Sequence, residues 1–242
     1  MISTQFTLTA LCASSLIVVL TYLVLRGHLI PNRPATNQFP VRGIDVSHHN
    51  GVIDWKSVSD SGQAFAFIKA TEGSDWRDSR FQFNLREARK HNIVCGAYHF
   101  FSTTISGDSQ ADNFITTVPA LPGMLPPVID IEFSPAHSWM TDEQFKTHLT
   151  RLVERLKSHY EVKPIFYTTR EFHDHYFPGE AIDPLWVRAV IGVPYEAAEN
   201  WSFWQYSSRG RIPGIAGRTD LNVFRGSVEE LVGVTSIPVT NR

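Results

Sequence analysis

Two carboxylates one residue apart, Asp130 and Glu132, end the apolar run Pro126-Pro127-Val128-Ile129-Asp130-Ile131-Glu132. Alternate side chains of a strand share a face. The pair therefore points together, with α-carbons about 6.6–7 Å apart. Like charges this close on an apolar strand push each other's pKa values apart. One carboxyl stays protonated while its neighbour ionises, the division of labour that cleavage of a glycosidic bond requires. Taken alone, the pair also fits a strand-end cap or an ion-pair network, which perturbs acids in the same way.

The elements around the pair decide between these readings. From Val41 onward, apolar runs alternate with amphipathic ones, the pattern of an α/β fold. The expected strands are Gly43–Ser47, Phe65–Ala70, Val94–Phe101, Val128–Glu132, Pro164–Thr168, Leu185–Val190, Ser202–Tyr206 and Asp220–Val223. About eight strands close a β/α barrel, whose catalytic groups lie at the C-terminal strand ends. Those ends carry Asp45, Glu72, Tyr98, Asp130 with Glu132, Tyr167, Trp186, Trp204 with Gln205, and Asp220 with Asn222. Acids converging with aromatic faces suit a stacking sugar and a cationic transition state. Each residue alone has a plainer reading, as a satisfied buried acid or a core aromatic. Their recurrence at one end of the barrel is what favours chemistry.

Helical patterning separates several strands. Phe81, Leu85 and Ala88 mark one helix, and Gly107–Val118 reads as another. Thr141-Asp142-Glu143-Gln144 forms a capping box ahead of the stripe Phe145, Leu149, Leu152, Val153 and Leu156. Gly192–Trp201 and Ser207–Thr219 are too short or too rich in Gly and Pro for full helices. The expectation is an irregular TIM-like α/β barrel over residues 41–234, with some helices missing and a tail at 235–242.

The chain of 242 residues is 43% apolar, enough for one large core, and carries a net charge of -2 without a basic run. No nucleic-acid partner is expected. Cys12 and Cys95 are the only cysteines, one in the apolar N-terminus and one in a core strand, so no disulfide framework exists. Leu8 to Leu25 contains no charge and approaches the roughly 20 residues that span a bilayer. No small-x-small cleavage site follows it, so residues 1–28 read as an uncleaved transmembrane signal anchor, with removal of a signal peptide as the alternative. Residues 29–40, with Pro31, Pro34 and Pro40, read as a tether of low structure.

The ordered motifs Gly43-Ile44-Asp45-Val46-Ser47, Phe67-Ile68-Lys69-Ala70-Thr71-Glu72-Gly73, Gly96-Ala97-Tyr98-His99-Phe100, Asp130-Ile131-Glu132, Phe203-Trp204-Gln205-Tyr206-Ser207 and Asp220-Leu221-Asn222 resemble glycoside hydrolase family 25, the Chalaropsis-type lysozymes. The likeness covers about Val41 to Val232. It implies an N-acetylmuramidase acting on peptidoglycan, with Glu132 as general acid. Asp130 matches the second carboxylate, as nucleophile or as orienter of the substrate's own acetamido group, and the short spacing favours the second role. Asp45 and Asp220 match further site acids, and Glu72, Tyr98, Tyr167, Trp186 and Trp204 are the expected substrate-binding residues. No cofactor and no metal are implied, and a monomer is expected.

Two stretches depart from the family pattern. Val187-Arg188-Ala189-Val190 follows Trp186 where a small and then an aromatic residue are usual, and His48-His49-Asn50-Gly51 follows the first motif. The implied substrate places the barrel outside the cytoplasmic membrane, anchored by the N-terminal helix. Arg26, Arg33 and Arg42 beyond the span argue the opposite orientation by the positive-inside rule. The competing readings are a metal hydrolase using His48-His49 or His173-Asp174-His175, a non-catalytic peptidoglycan-binding scaffold, and a chitinase-like glycosidase. The adjacent histidines would point to opposite faces of an extended chain, and the second group reads as a solvated loop.

Overall fold

The computed structural model describes residues 2–133, 141–180, 182–194 and 201–234, with side chains from residue 13 onward. The expected tail at 235–242 lies outside the described residues. The strands are β1 (Arg42–Val46), β2 (Gln63–Glu72), β3 (Trp76–Arg77), β4 (Val94–Phe100), β5 (Val128–Ile131), β6 (Ile165–Thr169), β7 (Leu185–Arg188), β8 (Trp201–Gly210) and β9 (Thr219–Phe224). The helices are α1 (Ile2–Leu25), α2 (Trp55–Asp60), α3 (Phe81–Lys90), α4 (Gly107–Thr117), α5 (Asp142–Tyr160), α6 (Arg170–Tyr176) and α7 (Val228–Val234).

Eight strands close in the order β1-β9-β8-β7-β6-β5-β4-β2, with β2 pairing back onto β1, while the short β3 sits outside on the end of β2. All eight expected strands are present. The closure departs from a regular β/α barrel, because β9 runs antiparallel to both β8 and β1. The physical reason lies in the connection. A parallel return needs a crossover of a dozen or more residues, usually with a helix, and Arg211–Arg218 is too short to provide one. The chain turns back as a hairpin instead.

Alternation along each strand divides two cores. Inside the barrel, Val41, Phe65, Phe67, Val128, Ile165, Tyr167, Trp186, Phe203 and Phe224 pack on one another. Phe67 stacks on Trp186 at 4.2 Å and meets Phe203 edge-on at 5.0 Å. Ile44, Val46, Ala66, Ile68, Cys95, Ala97, Ile129, Ile131, Val187 and Trp204 face outward into the layer shared with the helices. Each buried Phe is worth about 1.5–3 kcal/mol of transfer free energy. Gly43 and Gly96 make room for these rings. A β-carbon on Gly43 would lie 2.6 Å from the Phe65 ring, and one on Gly96 the same distance from the Phe67 ring.

α5 starts as its sequence dictates. Thr141 Oγ1 accepts from the Gln144 amide at 3.3 Å, and Gln144 Oε1 accepts from the Thr141 amide at 3.1 Å. Its stripe Phe145, Leu149, Leu152 and Leu156 is buried, with Tyr160 added at the end. α6 corrects the solvated-loop reading of His173-Asp174-His175, because Thr169 caps a helix there.

The segment 30–40 is more ordered than the expected tether. Asn32 Nδ2 donates to the Ala189 carbonyl at 2.8 Å, Arg42 reaches the Pro34 carbonyl at 2.8 Å, and Phe39 packs against Trp201 and Trp204. An aromatic ring and an amide with fixed partners outweigh the looseness that its prolines suggest. Among the described residues no helix is long and apolar enough to cross a membrane. α1 is a 24-residue helix, and its Leu16, Ile17, Val18 and Val19 are exposed.

The glycine contacts predict a specific sensitivity. Gly43→Ala should lower the urea midpoint by an overpacking penalty of about 1–3 kcal/mol. Gly217→Ala, which meets nothing within 4 Å, should leave the midpoint almost unchanged. Equal midpoints for the two variants would contradict this account of the core.

Candidate active site

The aromatic filling of the barrel stops one layer below its C-terminal rim, and there the strand ends turn polar. Asp45, Tyr98, Asp130, Glu132, Tyr167, Trp186, Arg188, Gln205, Ser208 and Asp220, with Phe133 at the edge, line a cleft of about 360 Å³. Strand register explains the convergence. Asp45 of β1 lies opposite Asp220 of β9, Asp130 of β5 opposite Tyr167 of β6, and Tyr167 opposite Trp186 of β7. The antiparallel closure brings Asp220 in at the start of its strand, where a parallel strand would have offered its end.

Asp45 is fixed by two amides whose orientation is itself fixed. Gln205 Nε2 donates to Asp45 Oδ2 at 3.0 Å while Gln205 Oε1 accepts from the Tyr167 hydroxyl at 3.0 Å. Asn222 Nδ2 donates to the same carboxylate oxygen at 2.7 Å while Asn222 Oδ1 accepts from the Trp186 indole at 2.8 Å. Tyr167 and Trp186 are thus buried parts of a scaffold as well as lining of the cleft. Asp45 also shares a side-chain hydrogen bond with Asp220. Two carboxyls can share such a bond only when one is protonated. Burial, and then the Asp45 charge, push Asp220 up to about 8, whereas burial against the amide donors leaves Asp45 at about 6. Of the two, Asp220 binds a proton the more tightly.

The Asp130–Glu132 pair has a different character. Burial, and then the Glu132 charge, hold Asp130 well above the usual carboxylate range. Burial also raises Glu132, opposed by the charges of Arg188 and Lys69. Asp130 Oδ1 is buried and has no hydrogen-bond partner among the described residues. A desolvated oxygen without a partner costs free energy unless something arrives to meet it. Tyr98 lies close by, its hydroxyl held neutral by burial and by the surrounding acids.

Two expected substrate contacts are placed elsewhere. Trp204 falls between the inward Phe203 and Gln205, so alternation turns it outward. Its indole donates to the Ala189 carbonyl at 2.9 Å, and its ring packs on Phe39. Glu72 lies past the cleft, half-exposed and ion-paired with Lys69 at 2.7 Å. A sheet irregularity between Lys69 and Thr71 shifts the register there, and Glu72 is left out of the cleft lining although its charge still helps raise Asp130. The histidines do not cooperate. His173 is buried and bonds the Glu180 carbonyl, while His175 is exposed near Asp142. His48 is bonded to Asp78 at 2.9 Å, with the His49 ring tilted against it at 3.9 Å. Among the described residues no group of three His, Cys, Asp or Glu side chains has metal-binding geometry.

Lys69 and Arg188 are contributors not named among the expected site residues, whereas Gln205 and Asn222 already stand among the polar strand ends. Gln205 stands next to Trp204 and Asn222 two residues after Asp220, beside residues that draw attention first. Lys69 shares the inner face of β2 with Phe65 and Phe67, a period-two signal that a lysine in an apolar strand makes legible.

A family model for glycosyl hydrolases family 25 matches residues 44–215. Lysozyme M1 of Streptomyces globisporus is 36% identical over 211 residues, which cover 81% of this chain and 71% of that protein. A solved family 25 glycosyl hydrolase from Bacillus anthracis superposes with a TM-score of 0.78 at 37% identity, covering 85% of this chain and 98% of the other. The bacterial lysozyme from Streptomyces coelicolor gives 0.74 at 34% identity, over 81% and 96%. The chain belongs to family 25 of the glycosyl hydrolases and is a glycoside hydrolase.

Proposed function

We propose that this enzyme is a lysozyme-type muramidase that hydrolyses the β-1,4 bond between N-acetylmuramic acid and N-acetylglucosamine in peptidoglycan. The observation that carries the reading is the buried, unpartnered Oδ1 of Asp130 beside Glu132 in an acid-lined cleft. An acetamido N–H on the bound sugar is a donor of the right kind to meet that oxygen. The lysozymes among its relatives support the substrate class.

In the proposed reaction Glu132 gives its proton to the bridging oxygen as the bond from that oxygen to the anomeric carbon breaks. The acetamido carbonyl oxygen of the same sugar forms the new bond to that carbon. Asp130, whose ionised form gains in the amide N–H the donor it lacks in the free enzyme, orients the group and stabilises the positive charge it acquires. Water then attacks the anomeric carbon, giving a proton back to Glu132 and releasing the acetamido oxygen. Asp45 and Asp220 with their amide donors hold the sugar and keep the local charge low.

We also propose that the uncharged N-terminal run Leu8–Leu25, although no described helix qualifies as a membrane span, holds the enzyme at the cytoplasmic membrane with the barrel on the wall side. Support comes from the uncharged run Leu8–Leu25 and from apolar side chains that α1 leaves exposed. The full chain should then stay with membranes through alkaline carbonate extraction, and release into the soluble fraction would refute the anchor.

Glu132→Gln should lower turnover of purified peptidoglycan by about 10²–10⁴-fold, the usual worth of a positioned general acid. Mass spectrometry of released muropeptides should show muramic acid at the reducing end. N-deacetylated glycan should resist the enzyme, and its cleavage at the normal rate would rule out the acetamido nucleophile.

A pH dependence of stability follows from the raised acids. They bind protons more tightly folded than unfolded, so their contribution to stability is greatest at low pH and is lost as they ionise. For Asp220 the window runs from the ordinary 3.8 to about 8. The thermal midpoint should decline across that window, and Asp220→Asn should flatten the slope.

A further inference from the structure

We propose that Arg188 is a specificity-determining residue that binds a carboxylate of the acidic peptide carried by the muramyl sugar. The inference rests on the muramidase reading above and names a part of the substrate that reading leaves open.

Arg188 ends β7 two residues after Trp186. Trp186 belongs to the inner core and Val187 to the outer one, so alternation returns Arg188 to the inner face at the mouth of the cleft. There it lies in register with Gln205, which holds Asp45. Its charge reaches Glu132 and Asp220 and holds both below the level that burial alone would set. Yet among the described residues its guanidinium has no hydrogen-bond or ion-pair partner. A half-buried guanidinium among acids, paired with none of them, has its donors still to use. Its planar fork matches a carboxylate through two parallel hydrogen bonds.

The surroundings indicate where that carboxylate would come from. Arg188 also borders a separate groove of about 610 Å³ that leads away from the cleft between Leu29–Asn32 and Ser207–Arg209. This groove contains Arg188 and Arg209 and no acidic side chain, while Leu29, Ile30 and Ile191 provide apolar wall. Ser208 lines both the groove and the cleft, so the two are contiguous. A second neighbouring cavity, of about 800 Å³, sets Glu171 and Asp174 against Arg170 and Arg188, so it lacks the unopposed positive charge of the first. A substituent leaving the sugar toward the 610 Å³ groove meets positive charge and apolar surface together, which suits a short acidic peptide better than a bare sugar.

The test uses the full enzyme on glycan with its peptides intact, on the same glycan with peptide carboxylates converted to amides, and on peptide-free glycan. The wild type should prefer the first over the second by about tenfold to a hundredfold in kcat/KM, the range for a charge-assisted contact. Arg188→Gln should abolish the preference, chiefly through KM, and Arg188→Lys should retain part of it. Arg209→Gln, farther from the acids, should reduce it less. Taking the ratio of two substrates at one pH cancels the effect of Arg188 on the catalytic acids. Equal rates of the wild type on charged and amidated peptide would overturn the proposal. So would an Arg188→Gln loss equally large on all three glycans, which would mark a residue that only tunes the acids or meets the sugar's own lactyl group. Failure of the wild type on every glycan would instead refute the muramidase reading.

Discussion

The constraint on which the site depends is the removal of carboxyl groups from water at one end of a barrel filled with aromatic rings. Burial is the largest influence on Asp45, Asp130, Glu132 and Asp220 alike. In solvent these acids would all be ionised at neutral pH and none could donate a proton. The packed layer of Phe67, Trp186 and Phe203 beneath them is therefore part of the chemistry, because it excludes the water that would level their acidities.

Within that environment the acids differ because their donors differ. Asp45 receives two amides held by Tyr167 and Trp186, so its charge is accommodated. Asp130 has no such donor on Oδ1. The same low dielectric thus yields one acid whose hydrogen bonding is already satisfied and another that awaits a partner.

Much of this was legible in the sequence where a single periodicity or a local cap controls the outcome. All eight barrel strands and the start of α5 follow from alternation and from the Thr141–Gln144 box. The acids converge as expected because period two and a shared strand direction leave them no other face. Local pattern misleads where a tertiary relation decides. Trp204 looks like a sugar platform by composition, but its parity relative to Phe203 turns it outward. Glu72 sits in a suggestive motif, but the irregularity after Lys69 displaces it. The order within 30–40 comes from contacts with β8 and the Ala189 carbonyl, far away in sequence. The reversal of β9 was implicit in a connection too short for a helix.

That reversal has a bearing on how the enzyme could diversify. Because β9 descends from the rim, the hairpin tip Arg211–Arg218 lies at that rim, pinned to the adjacent loop after β1 by the Asp54 amide on the Gly214 carbonyl and by Asn50 on the Arg218 carbonyl. Residues inserted between those pins would lengthen the tip without disturbing the pairing of any strand. The fold can therefore absorb growth at this tip while the acids keep their places on neighbouring strands.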